Sequence, residues 1–310
     1  MRSTMLRIED YKASVVAVPP LALTRSLEID REENSKLINH IEAGGVRILL
    51  YGGNANFYHL DLGRFRAAIG ALKEATGPQT ALIPSIGPDF GKASDQIGAL
   101  REAGIRDVMI LPMAFPADPA GVAEGARRLA DALGHGVILY IKRDGYIDPG
   151  ALERLVAEKA VRFVKYAVER EDPRGDNYLE AILSAVGKDV VASGMGETPI
   201  LDHFRDYRLA TYTSGAVCLA PAAAMALLAA CKAGEWDKAE RIRKPFLEFE
   251  RVRAKLGGIS VMHDSVALSG VADMGPILPM LSNVASDHRP AVKQAVDGLM
   301  AIEAEYRVDA

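Results

Sequence analysis

The sequence is poor in the residues that carry redox, metal or membrane chemistry. It has only two cysteines in 310 residues, Cys218 and Cys231. A disulfide framework is excluded, and both thiols read as small buried apolar groups. Such usage fits a reducing compartment, so the cytoplasm is the default expectation. The six histidines are His40, His59, His135, His203, His263 and His288. No two have the spacing of a recognised ligand pair, so no metal is expected. No apolar run is long enough to cross a bilayer, and "MRSTMLRIEDYK" at the start lacks the apolar core of a signal peptide. Charge of one sign is not concentrated: Lys plus Arg is 37, Asp plus Glu is 41, and no basic block marks a nucleic-acid face. There is no serine-centred nucleophile elbow either.

What the chain does have is alternation. Eight short β-branched runs are strand candidates, at 14–21, 46–53, 80–87, 107–112, 136–143, 161–168, 189–196 and 209–217. Each is mostly apolar without strict alternation, as in parallel strands covered on both faces. Between them lie amphipathic segments that start on aspartates such as Asp30 and end at glycines such as Gly44. Strand, helix, strand at this spacing demands parallel pairing through right-handed crossovers. The expected fold is α/β, a (β/α)8 TIM barrel over residues 1–232. An open doubly wound sheet is the alternative, but the first strand–helix junction lacks G-x-G-x-x-G. Beyond about Ala222 the pattern is helical, with interruptions expected near Gly234 and Pro245. Residues 233–310 are expected to form a C-terminal helical extension packed on the barrel.

One lysine, Lys165, stands late in the sixth run, "VRFVKYAV". Active groups of a barrel gather where strands finish. Alternation puts Phe163 and Lys165 on one face, Val164 and Tyr166 on the other. Turned into the barrel mouth, Lys165 would be desolvated and its pKa lowered, giving a neutral amine that attacks a carbonyl to form an imine. Turned outward, it would snorkel beneath a helix and do no chemistry. Tyr140 ends the preceding strand in "VILYIKRDG", where a phenol beside Lys165 would carry protons. Its competing role is to fill the barrel top.

A 2-oxo acid also needs an anchor for its carboxylate. The turn "YGGNANF" offers backbone N–H groups at Gly53 and Asn54 and the amides of Asn54 and Asn56. Its glycines fit a turn-only role equally well. Lys142 and Arg143 are candidate cations for a second carboxylate or a distal polar group, with salt bridges as the competing reading. Gly194 in "ASGMGE" and Ser214 in "TSGAV" place small residues around the remaining loops and leave room for substrate. Glu197 is a candidate polar residue of the rim, with an outward carboxylate as the plainer reading, and His59 is expected to be structural or at the surface.

Taken in order, "VVAVPPL", "YGGNANF", "ILPMAFP", "VILYIKR", "FVKYAV", "VASGMG" and "TYTSGAVCLAPAAAMALLAACKAGEWDKA" resemble the dihydrodipicolinate synthase / N-acetylneuraminate lyase family. The likeness covers nearly the whole chain. It implies a (β/α)8 barrel with C-terminal helices, commonly tetrameric. It also implies a lysine imine with pyruvate or another 2-oxo acid, formed without cofactor or metal. The family's imine lysine falls on Lys165 and its fifth-strand tyrosine on Tyr140. Departures are equally plain. The family's Gly-Thr-Thr-Gly-Glu turn is here Gly52-Gly53-Asn54-Ala55-Asn56, without either hydroxyl. The tyrosine pair after the fourth-strand proline of the synthase is replaced by Met113 and Ala114. The arginine after its fifth-strand proline has no clear counterpart, so synthase activity is not carried over. The stretch "NFYHL" is similar to the aromatic run after the carboxylate turn of keto-deoxy-glucarate dehydratases.

The expected function is a Schiff-base lyase that dehydrates a 2-keto-3-deoxy sugar acid. Pyruvate-dependent aldolase chemistry at C3–C4 is the alternative, since the same lysine and tyrosine serve both. A rival of another class is a catalytically inactive barrel that binds a small molecule. A phosphate-binding barrel ranks last, because "ASGMG" and "TSGAV" lack a basic partner. A homo-oligomer, dimer or tetramer, with no nucleic-acid or membrane partner, completes the expectation.

Overall fold

The computed structural model describes residues 1–307 of the chain. Eight parallel strands form one sheet. They are β1 (Val16–Ala17), β2 (Ile48–Tyr51), β3 (Ala81–Ile86), β4 (Met109–Ile110), β5 (Val137–Ile141), β6 (Val161–Tyr166), β7 (Val191–Ser193) and β8 (Thr213–Ser214). Their order follows the chain from β1 to β7, and β8 pairs with the other edge of β1. A parallel bridge between Ser193 and Tyr212 joins β7 to the approach of β8. The sheet thus closes as a (β/α)8 barrel. All eight expected strands form. Each is shorter than its apolar run, whose remaining residues, such as Val18, Leu21, Val108 and Leu111, stay buried in the turns.

Helix α1 (Ile8–Ala13) precedes the barrel. The crossovers are α2 (Arg31–Ala43), α3 (Leu62–Ala75), α4 (Phe90–Ala103), α5 (Pro119–Leu133), α6 (Pro149–Ala157), α7 (Asn177–Val186) and α8 (Ile200–Arg205). Six of them, α2 to α7, start on an aspartate whose carboxylate accepts a first-turn N–H, from Asp30 through Asp176. Helix α4 starts one turn before Asp95, where the apolar period first becomes visible. Asp89 accepts from the Lys92 N–H and fixes the earlier start.

Helix α1 has no counterpart in the sequence reading. Six residues are too few to hold a helix by themselves. Packing holds it: Tyr11 stacks on Phe163 with ring centroids 3.9 Å apart. Asp107 accepts from the Leu6 N–H at 3.1 Å and from Arg162 Nη1 at 3.1 Å. The N-terminal segment therefore closes the end of the barrel where strands begin.

Helix α9 (Pro221–Ala233) completes the ring, followed by α10 (Trp236–Leu256), α11 (Gly258–Ser269) and α12 (Arg289–Tyr306). The break at Gly234 is present, but α10 runs unbroken through Pro245. Its buried residues Ala239, Ile242, Phe246 and Phe249 keep helical spacing across the proline. Packing of that face against α9 and α12 offsets the roughly 3 kcal/mol a mid-helix proline costs. Among the described residues, no helix is long and apolar enough to cross a membrane.

Candidate active site

Strand register fixes which side chains share the barrel interior. Tyr140 pairs with Lys165, and Lys165 with Ala192. One step earlier, Ile138 pairs with Phe163 and with Met109. Phe163 rests on Tyr11 at the lower end, so Lys165 lies two residues above it, near the mouth. The alternate residues face the helices: the Tyr166 hydroxyl donates to Asp176 at 2.8 Å, at the start of α7. Followed around the barrel, the Lys165 side includes Ser85, Ile48, Val16 and Thr213. Ser214, next in sequence, takes the other side, and its hydroxyl accepts from the Val217 N–H at 3.1 Å.

Lys165 is 6 % exposed, and its Nζ lies 4.4 Å above the centre of the Tyr140 ring. The ring's negative face attracts a cation but gives it no hydrogen bond. Burial, assisted by the positive charges of Lys142 and Arg253, lowers the Lys165 pKa to about 7. The neutral amine is then accessible near neutral pH, which an ordinary lysine does not offer. Tyr140 is shifted the opposite way, mainly by burial and then by Tyr58 and Glu169, and keeps its proton. A nucleophilic amine beside a protonated phenol is the arrangement that imine formation and breakdown require.

No protein-family profile matches the chain. It is 27 % identical over 247 residues to the probable 5-dehydro-4-deoxyglucarate dehydratase of Chelativorans sp. (strain BNC1), covering 76 % of this chain and 78 % of that protein. It is 23 % identical over 279 residues to a protein of the same name from Streptomyces griseus, covering 86 % and 85 % respectively. Among solved structures, dihydrodipicolinate synthase from Oceanobacillus iheyensis superimposes with a TM-score of 0.81 at 19 % identity, over 94 % of this chain and 97 % of the other. Sialic acid aldolase from Ruminococcus gnavus gives a TM-score of 0.83 at 12 % identity, over 96 % and 99 %. The chain is thus similar in sequence to probable 5-dehydro-4-deoxyglucarate dehydratases and shares the fold of dihydrodipicolinate synthase and sialic acid aldolase.

The turn after β2 and the loops around it complete the candidate site. In the turn after β2, the Asn56 and Phe57 N–H groups donate to the carbonyls of Gly53 and Gly52. Space beside Gly53 is open. The Asn54 amide is already engaged, donating to Val18 O at 2.8 Å and accepting from Arg253 Nη2 at 3.3 Å. Asn56 adopts a left-handed conformation (φ 55°), is 3 % exposed, and leaves both amide atoms unpartnered. Lys142 reaches out to Glu169 at 2.8 Å, and Arg143 donates to Ala117 O at 3.2 Å. Gly194 is where β7 meets β6: its N–H donates to Tyr166 O, and a Cβ there would lie 2.5 Å from that oxygen. Only glycine permits this approach beside Lys165.

Four residues near the site were not among the site residues expected from sequence. Tyr58 is half-buried close to Tyr140, and burial pushes its phenol up to about 12. Tyr146 accepts from the Met113 N–H at 3.2 Å. Glu197 does not point outward: it is 0 % exposed with both oxygens unpartnered. Burial, and then the neighbouring Glu250, raises its pKa to about 8, while Ser214 lies near enough to oppose this slightly without a well-formed hydrogen bond. Arg253, from α10, is the fourth. His59 is exposed, His263 meets Gly275 O, and Asp264 accepts from the Asn283 amide and the Val284 N–H. Two surface clefts, one beside Arg25 and Arg289 and one beside His59 and Lys92, are lined by neither Lys165 nor Tyr140.

Proposed function

We propose that this protein is a Schiff-base lyase that dehydrates a 2-keto-3-deoxy sugar acid, of the kind named in its dehydratase relatives. The observation that carries the reading is the buried Lys165, its Nζ 4.4 Å over the centre of the Tyr140 ring, where burial lowers its pKa. In this scheme Lys165 Nζ attacks C2 of the substrate, and water leaves to give a protonated imine. The imine nitrogen accepts the electron pair when a C3 proton departs, forming an enamine. The enamine expels the C4 hydroxyl, protonated by Tyr140 as it leaves, and hydrolysis frees Lys165. The electron sink is the imine itself, so the scheme needs no bound cofactor. The C1 carboxylate is assigned to the backbone N–H groups of Gly53 and Asn54, beside the open space at Gly53. Copies of the chain are also assigned to a dimer or tetramer, a reading supported by Phe115, 86 % exposed in the loop after β4.

Borohydride reduction in the presence of pyruvate or 2-keto-3-deoxy sugar acids tests the mechanism. Peptide mapping is expected to find the reduced adduct on Lys165, and Lys165→Met is expected to give none. Absence of an adduct with every 2-oxo acid would return the chain to the class of binding proteins. Release of pyruvate in place of water loss would assign aldol cleavage.

A further inference from the structure

The turn proposed to hold the substrate carboxylate offers one unpartnered side-chain amide, that of Asn56, and no charge of its own; the cation bonded to it is Arg253. It contains no hydroxyl, and the Asn54 amide is occupied by Val18 O and by Arg253 itself. Lys142 and Arg143 are turned to Glu169 and Ala117. The Arg253 guanidinium has five N–H donors. Three are used, on Gly258 O at 3.2 Å, Glu250 Oε1 at 2.7 Å and Asn54 Oδ1 at 3.3 Å. Each terminal nitrogen therefore keeps one donor, on a side chain that is 14 % exposed. The site is shaped around this group: a Cβ on Gly215 would lie 2.7 Å from Asn54 Nδ2 and 3.3 Å from Arg253 Nη1. The charge is also felt at Lys165 and Tyr140.

We propose that Arg253, delivered by α10, anchors the C1 carboxylate of the 2-oxo acid together with the Gly53 and Asn54 backbone. The proposal rests on the Schiff-base reading above and adds to it the group that selects acids over neutral carbonyl compounds. Glu250 competes with the substrate for the same guanidinium, which keeps the arginine in place while the site is empty.

The test compares borohydride trapping by pyruvate and by methyl pyruvate, which keeps the reactive ketone and lacks the charge. The wild type is expected to prefer pyruvate, and Arg253→Met to reduce that preference by about 10- to 100-fold, the loss of a charge-assisted carboxylate contact. Arg253→Lys is expected to retain part of it. Glu250→Gln is expected to raise it. The change Arg253 makes to the Lys165 pKa affects both probes alike, so the ratio reports anchoring alone. Equal losses with the two probes would show a purely structural arginine and overturn the proposal. No adduct in the wild type with either probe would overturn the Schiff-base reading instead.

Discussion

Lys165 is held in a place that suits an amine and penalises an ammonium. Imine formation with pyruvate is therefore expected to accelerate as pH rises through about 7 and to level off above it. A trapping rate that climbs only near the ordinary lysine value would contradict the burial effect. Stability carries the same signature. The folded pKa lies below the unfolded one, so the unfolded chain binds more protons between about 7 and 10.5, and stability rises with pH across that window. Lys165→Met should abolish this slope and stabilise the fold at neutral pH by roughly a few kcal/mol, read from denaturant midpoints. The positions of Lys165 and Tyr140 were legible because strand alternation has a strict period and β5 and β6 are neighbours. Glu197 was not: a carboxylate beside glycines is ordinarily solvated, and only α10 removes the water. Arg253 was not legible either, because nothing in the sequence of α10 states which way that helix docks on the barrel.

At the scale of elements, the loop from β7 to α8 and the helix α10 form one electrostatic unit around Glu197, Glu250 and Arg253. The raised Glu197 pKa means the folded protein holds a proton that the unfolded chain releases above the ordinary carboxylate value. Stability must then fall as pH rises from about 4.5 to about 8 through this group. Glu197→Gln is expected to flatten that fall and to be the more stable protein at pH 8, as thermal melts across the range would show. An unchanged fall in the variant would mean that Glu197 is ionised in the fold. Strand and helix identity were readable from periodicity and the capping aspartates. The continuity of α10 was hidden because Pro245 is a strong local stop, and only the spacing of Ile242, Phe246 and Phe249 betrays the longer helix.

For the whole molecule, the barrel has a chemical end and a sealed end. Tyr11 closes the sealed end against Phe163, two residues below Lys165 on the same strand. Tyr11→Ala is expected to cost about 3–5 kcal/mol, as deleting a buried aromatic does, while leaving the midpoint of the imine pH profile near 7. A large movement of that midpoint would show that the plug tunes the amine. Barrel topology was legible from the count and order of eight strands. The plug was not, since a six-residue helix has no period to detect and exists only through its tertiary contacts.

The cylinder is not equally strong around its circumference. Its seam between β7 and β8 is joined by the isolated Ser193–Tyr212 bridge and by the Gly196 N–H donating to Thr213 O, whereas β5 and β6 pair along their lengths. Amide hydrogen exchange should accordingly begin at that seam, with the β5–β6 ladder exchanging last. The amine and the phenol would then ride on the stiffest staves of the barrel, while the wall across the mouth remains free to breathe around an incoming sugar chain.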